Sequence, residues 1–218
     1  MPYDAQLPRQ PSLLGVAELL PTEHLRRSDL RSASNLLSLL EDCHNYLYAN
    51  EGLLKEKIFR EVVKLLAIKL YEERYDNCPV LRFCITADEY RAVLAGRSEE
   101  FIERIKQLYA QMQGTLLRFF PDSEIHLSPL SMAYVVSTLQ WVSLEQTAAD
   151  VKGEAFQVFF TRYQRGDRGE FFTPHPIVEL AVQMIAPQPE EVIIDPACGS
   201  GSFYSHAFSR NLYLVLHR

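Results

Sequence analysis

The sequence is poor in the features that assign a protein to a metal-binding, secreted or membrane class. Its four cysteines form no Cys-x-x-Cys pair and show no Cys/His metal spacing, so no metal site is predicted. The segment 125–144 is free of charges, but His126, Pro129 and Gln140 argue against a membrane span. The N-terminus has no basic stretch followed by an apolar core, so no signal peptide is indicated. We therefore expect a reduced, cytoplasmic protein without a membrane partner.

Positive charge is also scarce. The chain has 22 Lys and Arg residues against 28 Asp and Glu residues, which gives a formal net charge of −6. A protein that binds DNA by itself usually carries a basic face, because much of the affinity comes from neutralising phosphates. If DNA is the substrate, the main contact must therefore come from a local patch, from sequence outside this chain or from a partner subunit.

The composition that is present, with 47% hydrophobic and 23% charged residues in 218, is typical of a soluble globular protein. Apolar residues recur at helical spacing in four stretches. These stretches are 53–75, 98–120, 131–144 and 153–163. Residues 31–165 are thus predicted to form a mostly helical domain, preceded by a loose tail over residues 1–30.

The first of these helices has many charges between its apolar positions. They are Lys55, Glu56, Lys57, Arg60, Glu61, Lys64 and Lys69. An amphipathic helix buries one face and leaves the other in water. We therefore expect all seven charges to lie on a solvated face.

The pattern changes after the glycine-rich, charged hinge 166–169. Thr173 and Pro174 suit the cap and the first position of a helix that ends before Pro187. The β-branched run 191–195 then predicts a strand.

The predicted strand is followed by a glycine-rich turn and by a helix that begins near Phe203. A strand, a turn and a helix in this order open an α/β unit with a parallel sheet. Residues 211–218 could form a further strand. The expected fold class is α+β, with a helical N-terminal domain followed over residues 166–218 by the start of an α/β domain.

The turn after Asp195 can bind a ligand, because glycines let a ligand approach the backbone and a helix N-terminus offers free N–H groups. A nucleoside triphosphate is disfavoured, since no Lys follows Gly201. A dinucleotide is weakly supported, because Gly199 and Gly201 fit the pattern but Tyr204 stands at the third glycine position. S-adenosylmethionine, which has no phosphates, is the third candidate.

Two motifs favour that candidate. Asp-Pro-Ala-Cys-Gly-Ser-Gly-x-Phe at 195–203 resembles motif I of the DNA N6-adenine methylases, particularly the methylation subunits of type I restriction–modification systems. Gly-Glu-Phe-Phe-Thr-Pro at 169–174 resembles motif X of the same enzymes. The helical region before them also resembles the N-terminal helical domain of these subunits. The resemblance implies a Rossmann-like methyltransferase domain, S-adenosylmethionine as cofactor, DNA adenine N6 as target, and specificity and restriction subunits as partners.

The resemblance also assigns a partial cofactor site by position. Its residues are Glu170, Phe171, Phe172, Thr173, Pro174, Asp195, Pro196, Ala197, Cys198, Gly199, Gly201 and Phe203. The motif X residues would border the adenine and methionine portions, and Asp195 to Gly199 would cradle the amino-acid end. Cys198 is expected to be a small packing residue, because no base stands beside it in the sequence to make it a nucleophile.

No catalytic residue is assigned, because the chain contains no Pro-Pro dipeptide. The family uses an Asn/Asp/Ser-Pro-Pro-aromatic loop to hold the flipped adenine. It also uses an acidic residue, after the glycine turn, to bind the ribose of the cofactor, and this chain has no acidic residue after Asp195. We expect a chain truncated after motif I that does not methylate DNA alone. Two alternatives stay open: one half of a split enzyme completed by a second chain, and a non-enzymatic module that docks another subunit.

Overall fold

The computed structural model describes residues 13–76, 78–116, 124–163, 173, 175–188, 191–199 and 201–216. The chain divides into two compact units, Met1–Gly166 and Asp167–Arg218. Within the described ranges no helix is long and apolar enough to cross a membrane.

The first unit is built from helices. They are α1 (Leu13–Glu18), α2 (Leu36–Asn50), α3 (Lys55–Tyr75), α4 (Ala87–Leu94), α5 (Glu99–Leu116), α6 (Pro129–Leu139) and α7 (Ala149–Tyr163). A parallel pair of two-residue strands, β1 (Arg31–Ser32) and β2 (Val142–Ser143), joins distant parts of the chain. The core is apolar and fully buried at residues such as Leu40 of α2, Leu65 of α3, Val136 of α6 and Phe159 of α7. The mostly helical prediction for this region is confirmed.

The periodicity prediction for 131–144 was too long. α6 ends at Leu139, and the chain then turns into β2. Two tertiary hydrogen bonds compete with a continued helix: the Arg31 N–H donates to the Trp141 carbonyl at 2.9 Å, and the Ile85 N–H donates to Gln140 Oε1 at 2.8 Å. These partners lie far away in sequence, so the helical pattern does not contain them.

The expected tail is packed where the structure describes it. Val16 and Ala17 of α1 are buried, and α1 contacts α4. Leu25 and Leu30 form a second small cluster with Leu81 and Cys84, against which Trp141 packs. Residues 13–30 therefore contribute to the first unit, while residues 1–12 lie outside the described ranges.

The fully solvated face expected for α3 is wrong. Lys55, Glu56, Lys57 and Arg60 are exposed, but Lys64 and Lys69 are buried, as are three carboxylates of the same helix. These carboxylates are Glu61, Glu72 and Glu73. Each accepts N–H groups from a loop packed against the helix, and these hydrogen bonds offset part of the cost of burying a polar group.

Each carboxylate holds a different loop. Glu61 accepts the His126 N–H at 3.0 Å. Glu72 accepts the N–H groups of Arg82 and Phe83 at 2.6 and 3.0 Å. The third carboxylate, Glu73, accepts those of Leu144 and Glu145 at 3.2 and 2.9 Å.

The second unit contains two described helices, α8 (His175–Ile185) and α9 (Ser202–Leu216). Val178 and Val182 of α8 and Ala207 of α9 are buried together, and Phe203 packs against them. The helix predictions for both segments are confirmed. The suggested strand at the C-terminal end is wrong, because α9 continues to Leu216 without a glycine or proline to end it.

The predicted strand at 191–195 is also not found. These residues are assigned to no strand, and Val192 and Ile194 expose 87% and 81% of their surfaces. A strand needs a neighbour to take its backbone hydrogen bonds. Among the described residues of this unit none pairs with the segment, although its β-branched side chains suit a strand.

Candidate functional site

The turn between residue 195 and α9 depends on its two described glycines. Gly199 has φ 52° and Gly201 has φ 79°, a region that side chains with a Cβ rarely adopt. The Gly201 N–H donates to the Cys198 carbonyl at 2.8 Å, and the Ser205 N–H donates to the Gly201 carbonyl at 2.9 Å. The second bond joins the turn to the first turn of α9.

Space is not what selects glycine here. Among the described residues, a Cβ added at Gly201 would meet nothing within 4 Å, and one at Gly199 would meet the Ala197 carbonyl at 4.0 Å. The requirement is therefore conformational.

Asp195 lies half-buried at the start of the turn and is tied to it at two points. Its Oδ1 accepts the Ala197 N–H at 3.0 Å. Its own N–H donates to the Tyr204 hydroxyl at 2.6 Å. In the described part of the chain the other oxygen, Oδ2, has no hydrogen-bond partner, so it can accept a donor from a ligand.

Tyr204 was considered in the sequence only as the residue that breaks a dinucleotide pattern. The structure gives it a different part, because its hydroxyl fixes the backbone of Asp195 from nine residues away. Helical spacing from Ser202 onward places Tyr204 in the first turn of α9, beside the loop. The sequence could have indicated that Tyr204 lies near the turn. It could not have indicated the hydrogen bond to the Asp195 backbone, because such a contact has no sequence pattern.

The other motif I residues differ in burial. Pro196, Ala197, Cys198 and Gly199 are exposed. The expected packing role of Cys198 is therefore wrong, since its thiol lies at the surface. Phe203 is half-buried and packs in the small core between α8 and α9, so it anchors the helix that follows the turn.

Most motif X residues, Glu170, Phe171, Phe172 and Pro174, lie outside the described residues. Thr173 is exposed and stands two residues before α8. α8, which follows motif X, packs against α9, which follows motif I. The structure thus brings together the helices behind the two motifs. In the ranges that it describes, no group of three or more His, Cys, Asp or Glu residues is arranged to hold a metal.

Comparison with known proteins covers the same part of the chain. Residues 147–212 match the family model for N-6 DNA Methylase, a segment that includes both motifs and runs from α7 into α9. Over these residues the chain is similar to the N-6 DNA methylases. The predicted relationship is confirmed for this segment, and the resemblance expected for the helices before residue 147 stays a prediction.

Individual relatives are methylase subunits of type I restriction enzymes. The MjaVIII subunit of Methanocaldococcus jannaschii is 28% identical over 71 residues, 32% of this chain and 12% of the relative. The HindI subunit of Haemophilus influenzae is 38% identical over 60 residues, 26% and 13% of the two chains. The EcoEI subunit of Escherichia coli is 46% identical over 43 residues, 20% and 9%. The chain thus covers about an eighth or less of these relatives. No solved structure matches it significantly.

Proposed function

We propose that this chain supplies the S-adenosylmethionine-binding part of an N6-adenine DNA methyltransferase of the type I restriction–modification kind. The observation that carries the proposal is the turn itself. Gly199 and Gly201 hold it in a left-handed conformation, and an oxygen of Asp195 stays free beside it. The turn lies within the segment that matches the N-6 DNA methylases.

The residues present fit this cofactor better than a phosphate ligand. S-adenosylmethionine carries an ammonium group and hydroxyl groups, and the free oxygen of Asp195 can accept a hydrogen bond from either. A carboxylate at this place would repel the negative charge of a phosphate. Its carboxylate could approach the open turn and the N–H groups that begin α9. When bound, the cofactor supplies an activated methyl group.

The cofactor site would extend to motif X. Glu170 to Pro174 would border the adenine and methionine portions, Asp195 to Gly199 the amino-acid end, and Gly201 and Phe203 would shape the turn. Residues 166–218 would begin a Rossmann-like domain. The exposed run Val192, Ile193 and Ile194 supports this part of the proposal, since consecutive β-branched residues are typical of strands buried on both faces of a parallel sheet.

DNA adenine, and specificity and restriction subunits, would be the substrate and partners. The relatives' names as type I restriction enzyme methylase subunits support this part. The 218 residues contain no Pro-Pro dipeptide to hold the target base. We therefore propose that the chain binds cofactor but needs a second polypeptide, or further sequence, for methyl transfer.

Equilibrium dialysis of the full chain with labelled S-adenosylmethionine tests the cofactor proposal. Gly201→Ala forces an alanine into a left-handed conformation, which costs about 1–2 kcal/mol. If relief of that strain displaces the loop, the apparent Kd should rise about 5- to 30-fold.

The control is Gly96→Ala in the first unit. Gly96 has φ 77° against 79° for Gly201, and a Cβ at either place meets nothing within 4 Å. The control therefore carries the same strain but should leave the Kd unchanged. No cofactor binding by the unmodified chain, together with co-purification of a partner subunit, would instead favour a docking module.

A methylation assay tests the second part. Pure chain, labelled cofactor and mixed-sequence DNA should give no methyl incorporation. Incorporation that appears only after a polypeptide with a Pro-Pro-aromatic loop is added would support a split enzyme. Robust turnover by the chain alone would contradict the need for a second component.

A further inference from the structure

A cleft of about 460 Å³ opens in the first unit at the start of α3. It is lined by Leu53, Lys57, Arg60, Glu61 and His126. The volume lies within the range of small-ligand sites, roughly 300–1,000 Å³. None of these residues belongs to the segment that matches the N-6 DNA methylases, which begins at residue 147.

The two cations of the cleft differ from four arginines of the unit that form ion pairs. Several arginines are paired with carboxylates: Arg82 with Asp76, Arg91 with Asp88, Arg104 with Glu89 and Arg162 with Glu41. Lys57 and Arg60 are exposed, and among the described residues no carboxylate lies within ion-pair distance of either. Their N–H groups are therefore available to an anion.

The carboxylate in the lining does not cancel this charge. Glu61 is buried, and its Oε1 accepts from Lys64 Nζ at 2.8 Å. Its Oε2 accepts the His126 N–H at 3.0 Å. The ion pair with Lys64 thus offsets the negative charge of Glu61. Glu56, which is exposed four residues before Arg60, forms no ion pair with it in the described structure.

The fold does not need a cation at position 57. Lys57 lies in the first turn of α3, where the partial positive charge of the helix end disfavours a cation. Its replacement by a neutral residue should leave the stability of the unit unchanged or raise it slightly. A structural role would predict the opposite sign.

We propose that this cleft binds phosphate groups of a DNA backbone through Lys57 and Arg60. The inference rests on the proposed function, which makes DNA the substrate of a chain whose net charge is −6. For a chain with this net charge, a local basic site is one of the ways to contact phosphate. Lysine and arginine donors that have no partner in the protein are the groups that neutralise phosphates, and the contact carries no sequence preference.

The test is fluorescence anisotropy of a labelled mixed-sequence duplex with the full chain over about 50–200 mM salt. Lys57→Gln/Arg60→Gln should weaken binding equally for unrelated duplexes. It should also make the slope of log K against log salt shallower by about 1.8, because each phosphate contact contributes about 0.9.

Arg97→Gln/Lys106→Gln is the matched control. Both residues are exposed and outside the cleft lining, and the double variant also removes one arginine and one lysine charge. The control variant should show the same slope of log K against log salt as the unmodified chain. Trp141, the sole tryptophan, reports whether each variant is folded.

Three results would overturn the proposal: equal slopes for the two double variants, no DNA binding by the unmodified chain at the lowest salt, or binding of a mononucleotide in place of duplex. S-adenosylmethionine binding should be the same in both double variants and in the unmodified chain. If Lys57→Gln/Arg60→Gln leaves DNA binding unchanged while S-adenosylmethionine is still bound, the cleft is rejected and the proposed function stands.

Discussion

The two units of the chain stabilise themselves in different ways. The first buries a large apolar core and places charged groups inside it, each with partners. The second has a small described core, Val178, Val182 and Ala207, and leaves Met184, Val192 and Ile194 largely exposed. The difference indicates that the first unit holds its loops with its own buried groups, whereas the glycine turn belongs to a region that leaves these three described apolar side chains exposed.

Buried charge is the most sensitive feature of the first unit. Lys69 and Glu73 form a buried pair at 3.1 Å, and burial lowers the pKa of Lys69. Glu73→Ala should destabilise the unit by about 3–5 kcal/mol, because it leaves an unpaired ammonium inside and frees the N–H groups of Leu144 and Glu145. Urea unfolding followed by Trp141 fluorescence measures this effect.

The neighbouring exposed carboxylate provides the control for that experiment. Glu145→Ala removes a surface charge next to the same loop and should shift the unfolding free energy by less than about 0.5 kcal/mol. Similar losses of unfolding free energy for Glu73→Ala and Glu145→Ala would show that the buried pair of Lys69 and Glu73 contributes no more to stability than an exposed charge.

Acid should weaken the first unit through Glu89. Burial alone would raise the pKa of Glu89, but hydrogen bonds from His24, Arg104 and the Thr86 N–H lower it from 4.5 to about 2. A depressed pKa stabilises the fold above pH 4.5, and that stabilisation is lost as the pH falls towards 2. The difference in unfolding free energy between the unmodified chain and Glu89→Gln should shrink from about 3 kcal/mol at pH 7 to near zero at pH 2.

Glu100→Gln, at an exposed position of α5, is the reference for general acid effects. It should leave the difference from the unmodified chain small across the same range. A constant difference for Glu89→Gln between pH 7 and pH 2 would contradict the assigned pKa.

A core substitution in the second unit tests whether the two regions unfold separately. Val178→Ala removes two methyl groups from a core with few other members and should cost about 2 kcal/mol there. Hydrogen exchange should become faster in α8 and α9, while the Trp141 unfolding transition stays in place. A parallel shift of the Trp141 transition would mean that the chain unfolds as one cooperative body.

The smallest effect is expected at the surface of the first unit. Arg162 of α7 pairs with Glu41 of α2, and the arginine side chain is 54% exposed. The interface beneath them is held by buried Phe159 and by the ring of His44, which stacks on Tyr163 with 3.6 Å between centroids. Arg162→Ala should therefore cost less than about 1 kcal/mol in urea unfolding. A loss as large as that of Glu73→Ala would contradict this ranking of buried and exposed charge.

The sequence predicted those parts of the protein that depend on local pattern. Periodicity identified α3, α5 and α7, and Thr173 with Pro174 marked the start of α8 to within two residues. The glycines of the turn could be assigned because a left-handed backbone favours glycine wherever it occurs. The similarity to the N-6 DNA methylases was predicted from two short motifs, and both lie in the segment 147–212 that matches that family.

What depends on distant partners could not be predicted in this way. A helical pattern labels Glu61, Lys64 and Lys69 as polar, but their burial is decided by loops that lie elsewhere in sequence. The anchoring of Asp195 by Tyr204 has no motif either.

The sequence by itself determined helices such as α3, α5 and α7, the glycine turn and the similarity to the N-6 DNA methylases, because each rests on residues close together in the chain. Only the tertiary structure decided which charges of α3 are buried, that Arg31 pairs with Val142, and that 191–195 has no strand neighbour in the described residues. The physical reason is the same in each case. A buried charge or an extended segment is stable only with partners for its polar groups, and those partners are supplied by the fold rather than by the neighbouring sequence.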